Sequence, residues 1–166
     1  MLSRALLLAL ALVVASCGFR LRGTAELPFQ TLYVPGTNAG IGLDLKRNIE
    51  AGTGAKVVND PATAEAVLVF TQETREKEIL SLTSTGRVRE FTLRYRVGFR
   101  VHDGKGGDYL PASVVQLTRD VTYNDADILA KEAEEQLLFR DMQTDMVQQI
   151  LRRLAAAKLP KPAATK

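Results

Sequence analysis

The sequence predicts an α+β fold, a two-layer sandwich in which a mostly antiparallel four-stranded sheet carries two helices on one face, in the order β-α-β-β-β-α. Three observations lead there. Phe91, Leu93, Tyr95, Val97, Phe99 and Val101 alternate with Thr92, Arg94, Arg96, Gly98, Arg100 and His102, a strict period of two that buries one face of a strand and wets the other. From Ala126 to Leu154 the apolar period becomes helical, through Ala130, Ala133, Leu137, Met142, Met146, Ile150 and Leu154. The loops between the long β-type runs are short, which favours an antiparallel meander. Two amphipathic helices must bury their stripes, and one sheet face is available to take them.

Each element follows in order. Thr31 to Val34 is a short β-type run closed by Pro35 and Gly36. Ile41, Leu45 and Ile49 recur at spacing four and predict a helix over 41–51, stopped by Gly52 and Gly54. Asn59-Asp60-Pro61 is a turn. Ala66 to Phe70 is a buried strand that runs into a charged extension, Thr71 to Glu78, and a further apolar patch from Ile79 to Leu82. Thr83-Ser84-Thr85-Gly86 reads as a hairpin loop, followed by the alternating strand. Asp103 to Asp108 is a glycine-rich turn. Val115, Leu117, Val121 and Tyr123 then resume the alternation, which Arg119 interrupts.

The 166 residues, 46% hydrophobic and 25% charged, suit one ordinary domain. The chain divides into a signal peptide over 1–16, an extended leader over 17–30, one domain over 31–157 and a disordered tail over 158–166. Ala5 to Ala15 is an uninterrupted apolar run of 11 residues after a single positive charge, Arg4. Spanning a bilayer takes about 20 apolar residues, so this is a signal-peptide core. Val14-Ala15-Ser16-Cys17 resembles the bacterial lipobox, in which the cysteine is acylated and the peptide is cut before it. Cys17 is the only cysteine, so no internal disulfide competes for it. The resemblance implies covalent diacylglyceryl and N-acyl lipid on Cys17. Each buried acyl CH₂ contributes about 0.8 kcal/mol to attachment, and three chains make release negligible. Gly18 in place of aspartate matches the enterobacterial rule for the outer membrane, which places the chain on its periplasmic side.

Removing residues 1–16 takes Arg4 from the 22 basic residues and nothing from the 19 acidic ones, which leaves a net charge of +2. That balance gives no expectation of a nucleic-acid partner. An enzyme is not expected either. The single histidine, His102, falls on the wet register of its strand, so His/Cys metal sites and Cys–His pairs are excluded and no cofactor is implied. No nucleophile elbow or phosphate-cradling loop is present. Glu132, Glu134 and Glu135 belong to the solvated side of a charged helix. The basic residues carry more information. Arg87 and Arg89 open the alternating strand, and Arg94, Arg96 and Arg100 share its wet face, suited to phosphate or carboxylate. Glu73, Glu76 and Glu78 on the preceding strand are their possible cross-strand partners.

Three stretches together resemble the LptE family of lipopolysaccharide-assembly lipoproteins. They are Cys17-Gly18-Phe19-Arg20-Leu21-Arg22-Gly23, the hairpin from Leu82 to Leu93, and Tyr123-Asn124 through Leu129-Ala130-Lys131-Glu132 into Asp141-Met142. They span the mature chain in the family's order. The resemblance implies a catalytically silent plug inside the outer-membrane β-barrel LptD, assistance to that barrel's assembly, and contact with lipopolysaccharide. Of two basic positions that the family links to lipopolysaccharide, one matches Lys131. The other falls at Ser84, where Arg87 and Arg89 are the nearest cations. A purely structural plug and a lipid-anchored periplasmic enzyme are the alternatives.

Overall fold

The computed structural model describes residues 26–124 and 127–160. Cys17, the signal peptide and most of the leader lie outside those residues. The elements are β1 (Thr31–Tyr33), α1 (Gly40–Gly52), β2 (Lys56–Val58), β3 (Ala66–Leu82), β4 (Val88–His102), β5 (Asp108–Thr122) and α2 (Ile128–Ala155), with a single 3-10 turn over Pro61–Thr63. The α+β class is as predicted, and the sheet has five strands rather than four. The extra one, β2, is three residues long and too short to carry a period. It pairs in parallel with β1 after the α1 crossover, giving the order β2-β1-β3-β4-β5. The long strands β3, β4 and β5 form the expected antiparallel meander.

The alternation in β4 sets the core. Leu93, Tyr95, Val97, Phe99 and Val101 are fully buried beneath the helices, where each large side chain contributes roughly 1.5–3 kcal/mol relative to exposure. Ile41, Leu45 and Ile49 of α1 and Met142, Met146, Val147, Ile150 and Leu154 of α2 close over them. α1 ends at Thr53 in extended backbone rather than on a left-handed glycine; the Thr53 amide and hydroxyl both donate to the carbonyl of Ile49, at 2.9 and 2.8 Å.

β3 changes character at one residue. Phe70 pairs with Phe99 and Gln72 with Gly98, which leaves Thr71 as a bulge. A Cβ on Gly98 would lie 2.6 Å from the Thr71 hydroxyl, so any larger residue there forces the Thr71 side chain to turn away from the bulge. The bulge flips the parity of β3. Leu68 and Phe70 face the helices before it, and Glu73, Arg75 and Lys77 do so after it. The apolar half of β3 therefore seals the core, and the charged half meets α2 through polar contacts: Arg75 to Gln143 and Lys77 to Glu135.

This division corrects the expected stripe of α2. Ala130, Ala133 and Leu137 are exposed, while Leu138 and Phe139 pack against the core. The first turns of the helix cross the charged half of β3, where Lys77 and Glu135 meet and only the Phe91–Tyr123 edge offers apolar surface. Arg119, which interrupts the alternation of β5, points at the helix and pairs with Asp145 at 2.9 Å.

The first and last of the described residues come together at one end of the sheet. Phe29 stacks edge-on against Tyr109 at 5.3 Å, and the Lys158 amide donates to the Tyr109 carbonyl. The β3–β4 hairpin and the start of α2 occupy the opposite end, roughly 45 Å away along the fifteen-residue β4.

Candidate functional site

The hairpin end brings the predicted basic residues together. Its turn is closed by the Thr83 amide donating to the Arg87 carbonyl at 2.7 Å and by the Gly86 amide donating to the Thr83 carbonyl at 3.0 Å. Gly86 has φ +79°, the left-handed conformation this turn needs. The Thr83 hydroxyl accepts from the Arg87 amide at 3.1 Å. Arg87 and Arg89 leave this turn exposed. The Arg89 carbonyl accepts the amide of Tyr123 at 2.8 Å, which fastens the end of β5 beside it.

Lys131 arrives from the first turn of α2. It lines a cleft of about 60 Å³ with Lys77, Phe91, Thr122, Tyr123 and Ile128. Its ammonium donates to Glu134 at 2.8 Å and more weakly to the Thr122 hydroxyl at 3.4 Å. Phe91 and Tyr123 stack edge-on at 5.2 Å on the floor, and the Lys77 ammonium sits 4.3 Å from the Phe91 ring. The cleft thus has an aromatic base and walls of mixed charge, since Glu132 and Glu135 line it beside Lys77 and Lys131.

Aliphatic exposure is concentrated at the same end. Ile79, Leu80 and Leu82 are 58%, 51% and 55% exposed, and Leu129 reaches 82%. Ile79 is the cross-strand neighbour of Phe91, so this apolar surface runs into the cleft. Sequence reading took 79–82 as a strand patch and missed Ile128 and Leu129. The available signal was aliphatic residues beside a turn and a charged run, where a core is not expected. Clustered exposed aliphatic side chains next to cations suit an amphiphilic ligand.

The open sheet face carries the other arginines. Arg94 donates to Glu78 at 2.6 Å and Glu76 at 3.3 Å, and these carboxylates, Glu78 foremost, raise its pKa further. Arg96 forks onto Gln116. Glu73 lies on the opposite, helix-covered face, where it accepts from the Tyr95 hydroxyl and approaches Arg75. A wider apolar cleft of about 470 Å³ opens between Tyr33, Pro35, Ile41, Leu68 and Phe70. Its only charged lining residue is this same Glu73. Among the described residues no group of three His, Cys, Asp or Glu side chains could hold a metal ion, and no helix is long and apolar enough to cross a membrane.

The domain is thus a two-layer sandwich with one helix-covered sheet face and a cluster of exposed aliphatic residues beside lysines at one end. The family model described as "LptE: Lipopolysaccharide-assembly" matches residues 29–154, and the chain belongs to this family. It is 28% identical over 153 residues to the LPS-assembly lipoprotein LptE of Photorhabdus laumondii, covering 90% of this chain and 83% of that one. It is 31% identical over 160 residues to the protein of that name from Yersinia enterocolitica, covering 90% and 73%. The solution structure of an uncharacterized lipoprotein B from Nitrosomonas europaea shares 46% identity and superposes with a TM-score of 0.72, covering 84% of this chain and 91% of that one. Family membership gives the chain a non-enzymatic role in lipopolysaccharide assembly, as a lipoprotein of the Gram-negative envelope.

Proposed function

We propose that this chain is an outer-membrane lipoprotein, anchored on the periplasmic side through lipid on Cys17, whose domain plugs the LptD β-barrel, assists its assembly and binds lipopolysaccharide at the hairpin end. The observation that supports the reading is the cluster of exposed aliphatic residues Ile79, Leu80, Leu82 and Leu129 at the end of the sheet where Lys131 lines a cleft and Arg87 and Arg89 are exposed. Lipid A presents phosphates above acyl chains. Cations pair with the phosphates through charge-assisted hydrogen bonds, and Ile79, Leu80, Leu82 and Leu129 offer apolar surface to the chains. A polar, charged sheet face suits the lumen of an outer-membrane barrel, which is itself polar.

The test is retention of the purified domain on immobilised lipopolysaccharide. Lys131→Asp and Arg87→Asp are expected to weaken it at least fivefold each, and unchanged retention in both overturns the site. The anchor is tested by palmitate labelling of the full chain, which Cys17→Ser must abolish. One observation favours a second reading, a structural plug without lipopolysaccharide contact. The ammonium of Lys131 already donates to Glu134, so a ligand phosphate shares or competes for that cation with the carboxylate. Glu134→Gln separates the two, since it strengthens lipopolysaccharide retention if Lys131 is a ligand and leaves it unchanged if Lys131 is structural.

A further inference from the structure

The open face of the sheet divides into two electrostatic halves. Towards the hairpin, Arg94 is neutralised by Glu76 and Glu78. Farther along β4, Arg96 and Arg100 have no carboxylate within ion-pair distance among the described residues. Their cross-strand neighbours explain why. Arg96 lies between Thr74 and Gln116, Arg100 is paired with Val69, and the intervening Gly98 lies between Gln72 and Val114. All five are uncharged. Arg96 donates through Nε and Nη2 to the Gln116 amide oxygen at 3.1 and 2.8 Å, which orients the guanidinium without cancelling its charge. Arg100 is exposed and has no side-chain partner among the described residues. Four residues of strand set the two about 13 Å apart on one flat face. No helix covers that face, because both helices lie on the other.

We infer that Arg96 and Arg100 form a docking surface for carboxylates on the inner wall of the barrel partner; this rests on the plug reading above. Charge complementarity carries the inference. Two same-sign charges stand on an otherwise uncharged part of the sheet, and the guanidinium fork matches a carboxylate bidentately. A flat sheet face can lie along a strand wall, and enclosure in a lumen strengthens such pairs by removing water. A lipid ligand is disfavoured here, because exposed aliphatic residues cluster at the hairpin end and Val114 stands alone on this face.

The test co-expresses the full lipoprotein with its barrel and measures the barrel captured through a C-terminal tag in detergent. R96E/R100E is expected to capture at least tenfold less barrel than wild type and R96Q/R100Q an intermediate amount, each with an unchanged thermal midpoint, since both side chains project from the surface. Retention of R96E/R100E on immobilised lipopolysaccharide should match wild type. Equal barrel capture by R96E/R100E and wild type overturns the inference while leaving the plug intact. Loss of lipopolysaccharide retention with barrel capture preserved also overturns it, and assigns the face to the lipid. Failure of the wild-type chain to capture any barrel sinks the plug reading itself, and the inference with it.

Discussion

The hydroxyl of Tyr95 donates to Glu73 at 2.8 Å from a side chain that is otherwise sealed in the core. The pair joins the centre of the apolar layer to the charged half of β3, and Arg75 lies over the same ring at 4.8 Å. Burial first, and then the bond to Glu73, raises the Tyr95 pKa well above the ordinary tyrosine value of 10.0.

That shift makes a prediction for alkaline pH. A folded-state pKa raised above the unfolded one contributes stability that is complete below pH 10 and is lost as pH rises beyond it, because only the unfolded chain ionises there. Tyr95→Phe should cost about 1 kcal/mol at pH 7 through the lost bond and should flatten the fall in stability between pH 9 and 11. Urea midpoints of both proteins at the two pH values check it. Parallel slopes would refute the assignment.

The two halves of α2 should answer differently to truncation. Ile150→Ala removes a fully buried side chain and should cost about 2–5 kcal/mol. Leu129→Ala removes one that is mostly in solvent and should change stability by less than about 0.5 kcal/mol. Thermal denaturation of the pair measures the contrast.

Lys77 links the hairpin to α2, through Glu135 on one side and the Phe91 ring on the other. Lys77→Ala should loosen the first turns of the helix while leaving the core alone. Hydrogen exchange should quicken over 128–138, with protection at 142–154 unchanged.

Gly42 allows α1 to dock. A Cβ there would meet the carbonyl oxygens of Pro35 and Gly36 at 2.4 and 2.5 Å, both backbone atoms. Gly42→Ala should therefore destabilise by roughly 1–3 kcal/mol despite its better helix propensity. Gly52→Ala, with open space around it, should be neutral or slightly stabilising. Urea unfolding of both variants tests this.

Asp103 draws its oxygen onto the amides of Lys105 and Gly107, which hold its pKa below the ordinary 3.8. A depressed carboxylate pKa contributes stability that is present above the unfolded value and lost as pH falls through the folded one. Amide shifts of Lys105 and Gly107 should titrate together below pH 3.8, and Asp103→Asn should abolish that joint titration.

Much of this architecture was legible because one strand declares itself. The alternation of β4 fixes a buried face, and the period of Met142, Met146, Ile150 and Leu154 supplies the layer that covers it. The rest depends on encounters that no local pattern encodes. Lys56–Val58 becomes a strand only because β1 lies alongside it. Ala130, Ala133 and Leu137 have helical spacing yet stay exposed, since a period reveals a stripe but not whether a surface waits opposite. The bulge at Thr71 decides that, and its only sequence trace is Gly98. At the hairpin end the acids predicted for Arg94 are in place at Glu76 and Glu78, whereas Glu73 sits on the other side of the sheet and Arg96 takes an amide instead. Lys131 was marked only by family resemblance, because a lone lysine on a charged helix has no distinguishing pattern.

The placement of Phe29 and Lys158 at one pole, opposite the hairpin, has a mechanical meaning. Both fasten there to Tyr109, so a pull applied at Phe29 or at Lys158 loads that pole first. The long strands then act as a strut, holding the hairpin at a fixed distance from that pole. Shortening the three strands in step would change the reach while preserving both ends, so the depth served by the tip is written in strand length.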